Sequence, residues 1–131
     1  MYDDVNRIRE IVSKMIGVKE ERVIVACTHN HEGLDTIGLW GPDEFTSGIN
    51  EEYMTFLIES ASECIEKAYE PRRTVKCKVG STKVLGVAKN TSDKDIIDPE
   101  LIAINFNDGN NTVATIVNYA NHPEALGSKT P

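Results

Sequence analysis

The chain has 131 residues, of which 40% are hydrophobic and 27% charged, and its formal net charge is −7. That size and balance suit a single folded domain with a real core. They exclude the basic footprint of a nucleic-acid binder and disfavour docking on an anionic membrane.

No stretch approaches the ~20 apolar residues of a membrane span. The start, Met1-Tyr2-Asp3-Asp4-Val5, has neither the basic nor the apolar region of a signal peptide. The expected location is therefore cytoplasmic, and a preceding segment would change that. Cys27, Cys64 and Cys77 are odd in number and lack CxxC spacing. They fit a reducing compartment, or free buried thiols, better than a disulfide framework.

Val5, Ile8, Val12, Met15 and Ile16 recur at helical spacing, which predicts an amphipathic helix ending near Gly17. Residues 23–27, Val-Ile-Val-Ala-Cys, form a continuous apolar run too short for a helix, expected as a strand covered on both faces. Residues 29–48 carry four glycines and Pro42 and read as a long loop, a length that in a compact domain is usually functional.

Asn50 is the expected N-cap of a second helix, with Glu51 and Glu52 in its first turn. Its apolar stripe runs through Met54, Leu57, Ile58, Ala61, Cys64, Ile65 and Ala68, and it should stop before Pro71. Residues 74–79 alternate as a half-buried strand, and residues 81–95 are polar and irregular. Residues 101–106 and 112–119 read as strands joined by Asn107-Asp108-Gly109-Asn110-Asn111, a strong hairpin signal. The coarse order is α-β-α-β-β-β. The predicted fold is α/β, a mixed β-sheet flanked by α-helices in a single domain.

All three histidines fall inside two short motifs that end apolar runs. One is Ala26-Cys27-Thr28-His29-Asn30-His31-Glu32-Gly33, the other Asn118-Tyr119-Ala120-Asn121-His122-Pro123-Glu124. Residues i and i+2 of an extended chain point to one side, so His29 and His31 can present two imidazoles to one point. Imidazole is the commonest metal ligand and carries protons near neutral pH. Strand ends are where α/β folds build ligand sites. Solvated or hydrogen-bonded structural histidines are the competing reading. His29-Asn30-His31 also opens like the HxHxDH signature of metallo-β-lactamases, but Gly33 and Leu34 stand where its Asp and His belong.

The wider wording is more specific. Residues 21–31, then Leu39-Trp40-Gly41-Pro42, then Asp98-Pro99-Glu100-Leu101, then Val117-Asn118-Tyr119-Ala120-Asn121-His122-Pro123 form an ordered series. It resembles the N-terminal domain of the neutral/alkaline (non-lysosomal) ceramidases and their prokaryotic relatives, from about Val5 to Gly127. The resemblance implies that residues 1–131 are part of a zinc-dependent amidohydrolase of lipid metabolism. Such an enzyme cleaves an N-acyl, ceramide-like amide bond in a small sphingolipid-like substrate. It implies zinc ligands at His29 and His122 and a catalytic, metal-adjacent His31. It also implies a further Glu and Tyr ligand from later family sequence, so the chain is expected to be a fragment, a divergent short relative or one piece of an assembly.

Two departures are visible. Asn30, Glu32 and Gly33 break the family's THTHS-x-P wording, and Thr91 follows Lys89-Asn90 where the family has an Asn-Arg pair that helps bind substrate. The alternative function is a non-catalytic folded module, or a metal-binding fragment, without hydrolase activity of its own. Among other residues, Glu32 and Asp35 are candidate local carboxylates, with solvated loop carboxylates as the simpler reading. Trp40 is a candidate either to line an acyl pocket or to anchor its loop on the core. Cys27 is expected as a core thiol before a ligand. The sequence leaves oligomeric state and physiological metal open.

Overall fold

The structure, a computed structural model, describes residues 2–31 and 33–122. The chain is α/β: two α-helices, a short 3-10 turn and one three-stranded antiparallel sheet. Its contacts gather into two compact units, Met1–Arg72 and Arg73–Pro131.

The first unit is helical. Helix α1 spans Tyr2–Ile16, and its apolar spacing buries Ile8 and Val12. The Gly17 amide donates to the Ser13 carbonyl (3.0 Å) and closes the last turn. Helix α2 spans Glu51–Tyr69 and starts at the expected cap: the Asn50 carboxamide oxygen accepts from the Tyr53 amide at 2.9 Å. Its inward stripe is Met54, Ile58 and Ser62, with Ala61 and Ile65 packed partly against the core. Ser62 is tolerated there because its hydroxyl donates to the Ile58 carbonyl at 2.8 Å, which satisfies the buried oxygen. Cys64 was expected on this stripe but is exposed, as are Cys27 and Cys77. The helical period explains it: ten residues beyond Met54 the chain has turned about 80° short of the stripe.

Ile8, Val12, Val23 and Ile58 form the buried core of this unit. Val23 is the first residue of the run expected as a doubly covered strand. Instead the run is extended without a ladder partner among the described residues. Only one side is covered: Val23 is buried and Val25 half-buried, whereas Ile24 between them is 83% exposed. The Arg9 side chain donates to the Val23 carbonyl at 2.9 Å and ties the start of the run to α1.

The second unit is the sheet, in the order β1-β2-β3: β1 is Lys76–Lys83, β2 Glu100–Asn107 and β3 Thr112–Tyr119. Strand β1 extends four residues beyond its expected end at Val79, because the register pairs Gly80 to Lys83 with Ala103 to Glu100. Residues read as polar loop are thus held by backbone pairing, which is indifferent to side-chain polarity. The hairpin signal is realised with a register shift at Phe106/Asn107. The Asp108 carboxylate accepts from the amides of Asn110 and Asn111 and from Arg73 Nε (3.1 Å). Those donors, the Asn111 amide foremost, hold its pKa below the usual carboxylate range.

The two faces of α2 should separate in an unfolding experiment. Ile58→Ala removes a buried side chain and should cost about 2–5 kcal/mol. Phe56→Ala, on the exposed face, should stay within about 0.5 kcal/mol. Urea midpoints of the two variants, read by the helical circular dichroism signal, provide the comparison. Equal losses would mean that the helix packs differently.

Candidate metal centre

The extended run from Val23 ends at His29, whose backbone turns to φ 59°. It is the one non-glycine residue with positive φ among the described residues. The left-handed region disfavours a side chain bearing Cβ, although histidine tolerates it better than most, and such strain gathers at functional positions. The turn brings two rings together: His29 Nε2 and His31 Nε2 lie 3.0 Å apart, with ring centroids separated by 4.6 Å at an interplanar angle of 79°. The pairing expected from extended-chain alternation is therefore made by a kink at the first histidine instead.

At that distance one nitrogen donates a proton to the other. The same distance also suits shared coordination. Two ligands of a tetrahedral zinc with bonds of ~2.0–2.1 Å sit ~3.3 Å apart. Both rings are exposed. His122 belongs to the second unit. It lies three residues beyond the end of β3 and is exposed on the wall of an open cavity of about 720 Å³. Lys89, Asn90, Asp98 and Asn121 share that wall with Ile96 and Ile97, giving a cleft of mixed polar and apolar lining.

The other candidates sort by what their atoms already do. The Asp35 carboxylate is committed to the loop: one oxygen accepts from the amides of Ile37 (2.9 Å) and Gly38 (2.7 Å), the other from the Trp40 amide (2.7 Å). The Trp40 amide contributes most to holding its pKa below the ordinary aspartate range. Sequence reasoning weighed Asp35 as ligand, base or solvated group, and its organising role was missed. The signal was present in an Asp followed at short spacing by Gly38 and Gly41. Glu32 lies outside the described residues.

Asn90 is similarly occupied. Its amide nitrogen donates to the Ile96 carbonyl at 3.0 Å, and its oxygen accepts from the amides of Ser92 and Asp93. It shapes the loop beside the cavity. In the Asp98-Pro99-Glu100-Leu101 segment, the Asp98 carboxylate accepts from the Glu100 amide, and the Pro99 carbonyl accepts from the Val84 amide (2.9 Å) where β2 begins. Tyr119 donates its hydroxyl to the Val84 carbonyl at 3.2 Å, fixing the strand end that leads to His122. Trp40 is 80% exposed, so it does not anchor its loop on the core.

Comparison of the chain with protein-family models, with curated proteins and with solved structures finds no match.

The loop carboxylate makes a pH prediction. Folding lowers the pKa of Asp35, so its contribution is complete above the ordinary aspartate value of about 3.9 and drains away as pH falls below it. Fluorescence anisotropy of Trp40, the single tryptophan, should hold steady down to that value and drop below it. In Asp35→Ala it should already be low at neutral pH. Identical titrations of the two proteins would show that the carboxylate does not order the loop.

Proposed function

We propose that the chain is the histidine-bearing part of a zinc-dependent amidohydrolase acting on an N-acyl, sphingolipid-like amide. The observation that carries this reading is the His29–His31 pair, two imidazole nitrogens 3.0 Å apart at a strained left-handed turn. The pair sets one imidazole, a group able to carry a proton, within hydrogen-bond reach of a second that is suited to hold a metal. The resemblance of the two histidine motifs to the ceramidases supplies the substrate class.

In this reading His29 and His122 hold the zinc. Lewis-acid polarisation of the amide carbonyl is the chemistry the ion supplies. His31, beside His29, takes a proton from the attacking water and returns it to the leaving amine nitrogen as the C–N bond breaks. The products are a fatty carboxylate and an amine. General acid–base help of this kind contributes ~10²–10⁴-fold. The cleft at His122, with Ile96 and Ile97 in its wall, has the mixed lining an acyl amide needs.

One observation favours a second reading, a metal-binding module without turnover of its own. Both Asp35 oxygens are spent on backbone amides, so the loop carboxylate weighed as a local ligand is already committed to structure.

Titration calorimetry with zinc should show binding weaker than the ~10–16 kcal/mol of four-ligand structural sites. His29→Ala should abolish it and His122→Ala weaken it. In the complete natural polypeptide, His31→Ala should keep the metal and lose ~10²–10⁴-fold in fatty-acid release from a labelled N-acyl amide. Zinc binding unchanged in His122→Ala would refute the ligand assignment. Loss of zinc in His31→Ala would make that residue a ligand. A zinc-loaded protein inert toward every amide would leave the metal-binding module.

A further inference from the structure

The loop that follows the histidine pair displays apolar side chains from an ordered backbone. Leu39 is 70% exposed, Trp40 80% and Phe45 96%, and Leu34 and Ile37 are exposed as well. The backbone beneath them is tightly determined. Three amides converge on Asp35, and the Asp43 carboxylate accepts from the Phe45 amide (2.9 Å) and the Thr46 hydroxyl (2.9 Å). A Cβ at Gly41 would overlap the Thr46 carbonyl, and one at Gly48 the Trp40 carbonyl, so the two sides of the loop are in backbone contact. Closed loops of this kind are frequently functional. Exposed aromatic and aliphatic side chains are unfavourable in water. Large apolar side chains are exposed elsewhere too, Ile24 and Leu85 among them, but here five fall within residues 34–45 on a backbone held by its own carboxylates.

We propose that residues 34–48 form a docking loop for a zwitterionic lipid surface of the phosphatidylcholine type. The charges select this occupant. Asp43 and Glu44 stand between Trp40 and Phe45 in the chain, so burial in a protein pocket would strip water from two carboxylates along with the rings. A bilayer interface offers an apolar layer and a hydrated one within a few ångströms, where tryptophan concentrates. Its outermost choline ammonium groups complement the two carboxylates. The net charge of −7 turns the chain away from anionic lipid. Because the loop is already ordered, insertion carries little further entropy cost.

This inference does not rest on the amide-hydrolase reading, and its test uses neither metal nor substrate. Trp40 is the single tryptophan, so its emission reports on the loop directly. With phosphatidylcholine vesicles the emission should shift to shorter wavelength, and vesicles enriched in phosphatidylserine should bind more weakly. Phe45→Ser and Leu39→Ser each remove an exposed side chain that the fold does not use. Each should weaken partitioning about tenfold, with an unchanged circular dichroism spectrum. Absence of a shift at saturating phosphatidylcholine would overturn the proposal, as would partitioning unchanged in both variants. A blue shift that grows with protein concentration in the absence of lipid would overturn it in favour of a second copy of the chain.

Discussion

The left-handed backbone at His29 is the constraint on which the candidate centre depends. Residues outside glycine occupy that region at a cost of order 1–3 kcal/mol when it is strained, and the surrounding structure must hold them there. Upstream, Val23 is buried in the helical core and its carbonyl is tied to Arg9. Downstream, Asp35 gathers three amides of the following loop. The chain between these anchors is short, and the kink at its middle turns the first imidazole onto the second. Relax the kink, and the two nitrogens lose the spacing that lets them share a proton or an ion.

Short polar side chains serve the backbone of their own loops in both units. Asp35, Asp43, Asn90, Asp98 and Asp108 all accept from backbone amides two to five residues further on. Short carboxylates and carboxamides suit this work because their oxygens reach amides of their own loop. These five side chains are engaged in shaping their loops, Asp35 shortly after the histidine pair among them. The site logic is therefore one of histidines held by loops that aspartates and asparagines shape.

Helix positions were legible in the sequence because their determinants are local. The spacing of Ile8 and Val12, the cap at Asn50 and the stop before Pro71 each act within a few residues, and the helices obey them. The hairpin between β2 and β3 was legible for the same reason. Residues 23–27 were misread because strand character needs a partner, and apolar content alone does not provide one. The far end of β1 was missed because its polar residues pair through backbone alone.

The sequence by itself determined the α/β class, the helix boundaries, the hairpin and the singling out of His29, His31 and His122, all matters of residue type and short-range spacing. Only the tertiary structure decided that His29 and His31 meet through a left-handed kink instead of strand alternation. It also decided that Asp35 and Asn90 are spent on their loops, and that Trp40 points to solvent. These outcomes turn on which donor reaches which acceptor after the chain has folded, and a linear pattern carries no distance.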